Sequence, residues 1–223
     1  MKVAWLFFGL PRSPGVTSEN FLRLMKLYDS EVVAHFWTCD ENGKEDYYKR
    51  EWNLAGRKPR PVVSLSTHLD AVAEFKQIYS PARLMVEPCI IAKLPVKTFR
   101  SYYGQQSAQR ALNLIDPKQF DIIVRCRTDV VVHPKEVTKL PFDGSNKLYS
   151  LGAFFDPAIR VNDTFMYGCP DVMAYLINAV DRYAELSEPE AIDVHTALAR
   201  YCREQNYTVV TVGGPASGRK IGK

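Results

Sequence analysis

Two short blocks hold the residues whose types and spacing suit chemistry. In the first, Asp121-Ile-Ile-Val-Arg125-Cys-Arg127-Thr-Asp129, three charged groups closely follow an apolar run. Charges are costly to bury unless they are paired or used. In open α/β sheets the carboxyl ends of the strands line the ligand crevice. A carboxylate there can hold a divalent cation that bridges two phosphates, and neighbouring arginines can bind phosphate oxygens. The same groups also suit an internal Arg–Asp ion pair that orders a strand end, and the block alone does not choose between the two. The second block is Arg160-Val-Asn162-Asp163-Thr-Phe-Met-Tyr167-Gly168-Cys-Pro170. Asp163 can act as a general base on a sugar hydroxyl or bind it; equally, Asn162-Asp163 can form an Asx turn in a loop.

The elements that position these blocks follow from the pattern of apolar residues. Val3 to Phe8 is a continuous apolar run ending at Gly9, as in strands buried on both faces of a parallel sheet. A Pro- and Gly-containing loop, Leu10 to Gly15, leads into a helix that carries Phe21, Leu22, Leu24, Met25 and Leu27. Glu31 to Trp37 reads as a second strand, so the chain opens as β-loop-α-β, the unit of nucleotide-binding sheets. Helical spacing predicts helices over 68–79, 101–115 and 171–186, and another from Pro189 through Tyr201 or Cys202. Strands are expected at 83–86, 120–132, 147–151 and 208–212. Residues 41–62 read as an irregular, Pro-rich excursion. The expected architecture is α/β: a single Rossmann-like domain over 1–212, its mixed, mainly parallel central sheet flanked by helices, with a flexible tail at 213–223.

Composition narrows the function classes. A hydrophobic share of 46% argues against disorder, and 223 residues suffice for one well-buried domain. The net charge of +4 is mild, and no basic helix with interleaved aromatics points to nucleic acid. Arg57-Lys58-Pro59-Arg60 reads as a solvated loop. No apolar run approaches the ~20 residues needed to cross a bilayer. Five cysteines form no CxxC pair, and the N-terminal apolar run lacks a cleavage site, so reduced thiols in a cytoplasmic setting are expected. No Cys–His nucleophile pair is evident.

Together the blocks resemble a family. Tyr102-Tyr103-x-x-Gln106-Ser107-x-x-Arg110-Ala111, then Phe120 to Asp129, then Asn162-Asp163-x-Phe165-x-x-Gly168-x-x-x-x-Met173, are similar to the glycosyltransferase-like proteins of large DNA viruses, phages and bacterial surface-polysaccharide clusters. Gly9-x-Pro11-Arg12 and His35-Phe36-Trp37 add to the likeness. The resemblance spans most of 1–212 and is specific only in these blocks. It implies a GT-A-type fold, a nucleotide-sugar donor, a glycan or other hydroxyl acceptor, and a divalent metal, Mn²⁺ or Mg²⁺. Asp129 matches the last acid of the family's Asp-x-Asp metal motif, whose first acid is here Arg127. Asp163 matches the acceptor-side acid and, in an inverting enzyme, the catalytic base, with Asn162 beside it. Gly9, Pro11 and Arg12 fall at the nucleotide end of the first strand. Arg125 and Arg127 would support phosphate or the leaving charge. Gln106 and Arg110, four residues apart on one helix face, are placed to reach the donor. His195 reads as a packing or surface histidine. The alternatives are a non-catalytic nucleotide- or sugar-binding module, or a nucleotidyltransferase on a similar sheet. Gly9-Leu-Pro-Arg12 lacks the glycine-rich phosphate loop that a nucleotidyltransferase would normally show.

Overall fold

The computed structural model describes residues 1–12, 14–38, 65–88, 96–130, 132, 137–144, 146–151, 161–179, 182 and 194–213. The excursion expected at 41–62, the Arg57–Arg60 cluster, the start of the helix expected from Pro189 and the tail beyond 213 lie outside those residues.

Seven strands form one sheet. They are β1 (Lys2–Gly9), β2 (Asp29–Thr38), β3 (Arg83–Pro88), β4 (Ile122–Cys126), β5 (Lys147–Leu151), β6 (Phe165–Gly168) and β7 (Thr208–Val212), in the order β3-β2-β1-β4-β6-β5-β7. The described α-helices are α1 (Pro14–Met25), α2 (Leu65–Tyr79), α3 (Val96–Leu112), α4 (Pro170–Asn178) and α5 (Val194–Glu204). β1 pairs in parallel with both β2 and β4, β2 with β3, and β5 with β7. β6 is antiparallel to both neighbours, so it alone opposes the other six strands. The sheet is therefore mixed and mainly parallel, as its apolar runs imply.

Alternation along β1 builds two cores. Val3, Trp5 and Phe7 face α1 and α2, where Phe7 meets Phe21 and Phe75 edge-on at centroid distances of 5.3 and 5.0 Å. Ala4, Leu6 and Phe8 face the other way, toward Ala108, Ala111 and Leu112 of α3. Small residues on both sides of that second contact let α3 lie close over β1 and β2. The connections carrying the chain from β1 outward to β3 thus leave α1 and α2 on one face. The return to β4 leaves α3 on the other, as right-handed crossovers require. The connections reverse direction at β1, between β1 and β4.

Several boundaries differ from the sequence reading. The strand expected over 120–132 ends at Cys126. Its ladder with β1 ends at the Phe7–Cys126 pair, and its ladder with β6 begins opposite the same residue, at Phe165. The expected helix at 101–115 starts earlier, at Val96, and closes at Leu112. The α4 helix has its C-cap at Ala179, short of the expected 186. The Asn162–Gly168 block, read as a turn before a helix, contains a buried strand, β6. Gly168 lets β5 and β6 approach: a Cβ at that position would stand 2.9 Å from the Lys147 carbonyl oxygen.

Candidate functional site

The crevice at the carboxyl ends of β1 and β4 is where the strand order reverses, the place where open α/β sheets bind ligands. Gly9 closes β1 with φ of +94°, in the left-handed region that side chains avoid, and its N–H donates to Ser107 Oγ at 2.7 Å. Pro11 is buried and Arg12 reaches across to the loop after β4. There Asp129 is gripped by two guanidiniums. Arg127 is bidentate, Nε to Oδ1 at 2.9 Å and Nη2 to Oδ2 at 2.6 Å; Arg12 Nη1 donates to Oδ2 at 2.7 Å. Thr128 ties the loop down: its Oγ1 accepts from the Arg12 N–H at 3.2 Å, and its carbonyl accepts from Thr17 Oγ1 at 2.7 Å. Burial alone would raise the carboxyl pKa of Asp129, but Arg127 and then Arg12 outweigh it and hold it down at about 2.

Asp129 is the acid expected to hold a metal, and the residues around it do not fit a divalent ion. Both its oxygens accept from guanidinium donors, so an ion there would sit against two positive charges. Hard cations such as Mg²⁺ need a shell of oxygen ligands. Among the described residues no three His, Cys, Asp or Glu gather around a common point. The donor set is that of an anion site.

β6 brings the second block to the same edge. The Arg127 N–H donates to the Thr164 carbonyl at 3.0 Å, and Cys126 pairs with Phe165. Asn162 is occupied in shaping this turn. Its Oδ1 accepts from the Thr164 N–H at 3.0 Å and from Thr164 Oγ1 at 2.7 Å, while Nδ2 donates to the Leu151 carbonyl at 3.0 Å. The Asx turn is thus present, and Asn162 acts by fixing the backbone rather than by facing an acceptor. Asp163, next to it, is half-buried with Oδ1 3.5 Å from His195 Nδ1. That separation is an ion-pair distance rather than a hydrogen bond. His195 Nδ1 instead lies 2.8 Å from the Val161 carbonyl, so this nitrogen carries a proton. The sequence reading gave His195 a packing role; no local signal shows that the start of α5 meets the 161–163 turn.

Arg125 faces the opposite side of β4 from Cys126, beneath α3. It is fully buried, with Nη1 donating to Gln105 Oε1 at 2.8 Å and its guanidinium 4.3 Å above the Phe8 ring. Nε and Nη2 have no hydrogen-bond partner among the described residues. Burial lowers its pKa to about 10, opposed by the negative charge of Asp163 and aided by Arg127. A side chain so enclosed does not reach a phosphate in the crevice. Its electrostatic partner is Asp163.

Gln106 and Arg110 separate in role. Arg110 pairs with Glu87 and lies 5.0 Å over the Trp37 ring, at the ends of β2 and β3. Gln106 is half-buried on α3, one helical turn before Arg110. Glu87 also meets His35 Nε2 at 2.9 Å, while His35 Nδ1 lies 2.8 Å from Ser107 Oγ. A carboxylate only accepts, so Nε2 carries the ring proton. Burial lowers the His35 pKa, and Ser107 Oγ, which accepts from the Gly9 N–H, lies 2.8 Å from both His35 Nδ1 and the His35 carbonyl oxygen, so its one proton serves one of the two. One network thus runs from Arg110 to the end of β1. Three described cysteines, Cys126, Cys169 and Cys202, are free thiols. Among the described residues no helix is long and apolar enough to cross a membrane.

No protein-family model matches this chain, and no curated protein matches it. Among solved structures, it is similar to a candidate nucleotide-diphospho-sugar transferase from Desulfovibrio desulfuricans G20, at 11% identity and a TM-score of 0.43, over 96% of this chain and 80% of that one.

Proposed function

We propose that this protein is a glycosyltransferase that moves a sugar from a nucleotide-sugar donor to a hydroxyl of a glycan or another acceptor. One observation carries the reading. The Arg127–Thr164 backbone bond joins the arginine-gripped Asp129 and the Asp163 turn at one end of one crevice, at the reversal of strand order. That backbone bond brings Arg12 and Arg127 and the turn carrying Asp163 to one end of the sheet, which supports a reading with phosphate-binding groups and a base in one site.

In this reading the donor's base and ribose lie along the ends of β1 and β2, near Gly9 and Pro11. The diphosphate lies against Arg12 and Arg127. The bond between the anomeric carbon and the phosphate oxygen breaks, and the electron pair leaves with the nucleoside diphosphate, whose charge the arginines balance. The acceptor oxygen bonds to the anomeric carbon and passes its proton to Asp163. Asn162 holds the turn that aims Asp163. Arg125, buried behind it, favours the ionised carboxylate that a base requires. Synthesis of surface polysaccharide in a cytoplasmic setting suits the resemblance and the free thiols.

A thermal-shift panel of nucleotide sugars, followed by product analysis with simple glycoside acceptors, tests the proposal. Selective stabilisation by one donor and transfer lost in Asp163→Asn, with donor affinity kept, are expected. If no nucleotide sugar shifts the melting temperature, the proposal fails. Tight donor binding without turnover on any acceptor would instead favour a binding module, which the fully gripped Asp129 also suits.

A further inference from the structure

We infer that Arg12 and Arg127 form a diphosphate site that works without a divalent cation, with Asp129 as its resident counter-ion; the inference rests on the donor reading above. Two guanidiniums and one carboxylate leave one positive charge in surplus at the crevice. Arg127 presents Nε and Nη2 as a parallel fork, the geometry that matches a carboxylate and a phosphate equally well. Arg12 is 41% exposed against 9% for Asp129, so an incoming anion meets Arg12 first and then competes with the carboxylate for Arg127. The carboxylate occupies the position a phosphate oxygen would take. It also keeps two like charges converged on one point in the ligand-free protein. At the position where a metal motif would place its first acid, the chain places Arg127, and that guanidinium supplies the positive charge directly.

The sign of one substitution separates this site from a metal site. If Asp129 were a cation ligand, Asp129→Asn would abolish phosphate binding. If it is a counter-ion competing with phosphate, Asp129→Asn tightens binding, by about tenfold for one unit charge removed from a partly exposed pocket. The measurement is isothermal titration of inorganic pyrophosphate into the full chain, once with EDTA and once with Mn²⁺. Binding in EDTA, unchanged by Mn²⁺ beyond its effect on free pyrophosphate, is expected. Arg12→Gln, at the exposed arginine and so least disturbing to the fold, should weaken it at least tenfold. Arg127→Lys, which keeps the charge and loses the fork, should also weaken it. Binding seen only with Mn²⁺, loss of binding in a folded Asp129→Asn variant, or no pyrophosphate binding at all would each overturn the inference. Pyrophosphate bound in EDTA with no nucleotide sugar recognised would leave this site standing and remove the transferase reading. Sugar transfer that requires Mn²⁺ would do the reverse.

Discussion

Replacing Arg125 by Met should make the protein more stable and less active. The guanidinium is fully buried, makes one hydrogen bond, to Gln105, and leaves Nε and Nη2 without partners among the described residues. A pKa held at about 10, well below the ordinary guanidinium value, corresponds to about 3 kcal/mol against the charged form in the fold. Because the folded value lies below the unfolded one, that cost is fully present below about pH 10. It is relieved only as pH rises further toward the ordinary guanidinium value. Methionine has a similar reach and keeps contact with Phe8. It gives up the cation–π contact and leaves Gln105 Oε1 short of a donor, together about 2 kcal/mol. The balance is about 1 kcal/mol in favour of the variant, or roughly 2–4 °C in melting temperature for a chain of this size. Differential scanning calorimetry at pH 7 and at pH 9 should give the same gain, since both lie below the folded pKa. Activity should move the other way. Without a positive charge behind it, Asp163 holds its proton to higher pH, so the acid limb of the pH–rate profile shifts upward. A melting temperature lowered by several degrees would show that Arg125 is a net anchor and that the charge-burial argument has the wrong sign. An unmoved acid limb would show that it does not act through Asp163.

Two further outcomes follow from the geometry. Asp129, held at about 2 against an ordinary 3.8, contributes about 2 kcal/mol above the unfolded value and loses it as pH falls through the folded one. Asp129→Asn should therefore cost about 2 kcal/mol in urea unfolding at pH 7, with the gap to wild type closing between about pH 4 and pH 2; a gap as large at pH 2 as at pH 7 would refute the assignment. Gly168→Ala drives a methyl against the Lys147 carbonyl at 2.9 Å and against Val172 at 3.4 Å, and should cost about 1–3 kcal/mol in the same assay. No measurable loss would mean that β5 and β6 do not approach as described.

The parallel half of the sheet is readable from the chain because burial on both faces makes a strand apolar throughout, as in Val3–Phe8 and Ile122–Val124. Thr208–Val212 is legible for the related reason that β-branched residues fill a short run, and Lys147–Leu151 because Leu148, Tyr149 and Leu151 follow the turn-forming pair Asp143-Gly144. β6 is not legible. Phe165-Met-Tyr-Gly168 is only four residues long, buried throughout, and shows neither alternation nor length. Its identity as a strand comes from β4 and β5 on either side of it, a non-local fact that no window of sequence contains.

That missed strand decides the site. Arg125, Arg127 and Asp129 sit at every second position, so an extended chain running to Val132 would turn all three side chains the same way. Ending the strand at Cys126 divides them: Arg125 stays in the ladder and is driven into the core beneath α3, while Arg127 and Asp129 leave it and pair with each other in the crevice. The end falls there because β6 begins opposite Cys126 and its preceding residue, Thr164, accepts the Arg127 N–H. The internal ion pair and the phosphate-binding reading of this block are therefore not rivals. The two bonds by which Arg127 satisfies a buried carboxylate occupy the fork for which a phosphate would have to compete, and the turn that leads into the antiparallel strand carries Asp163.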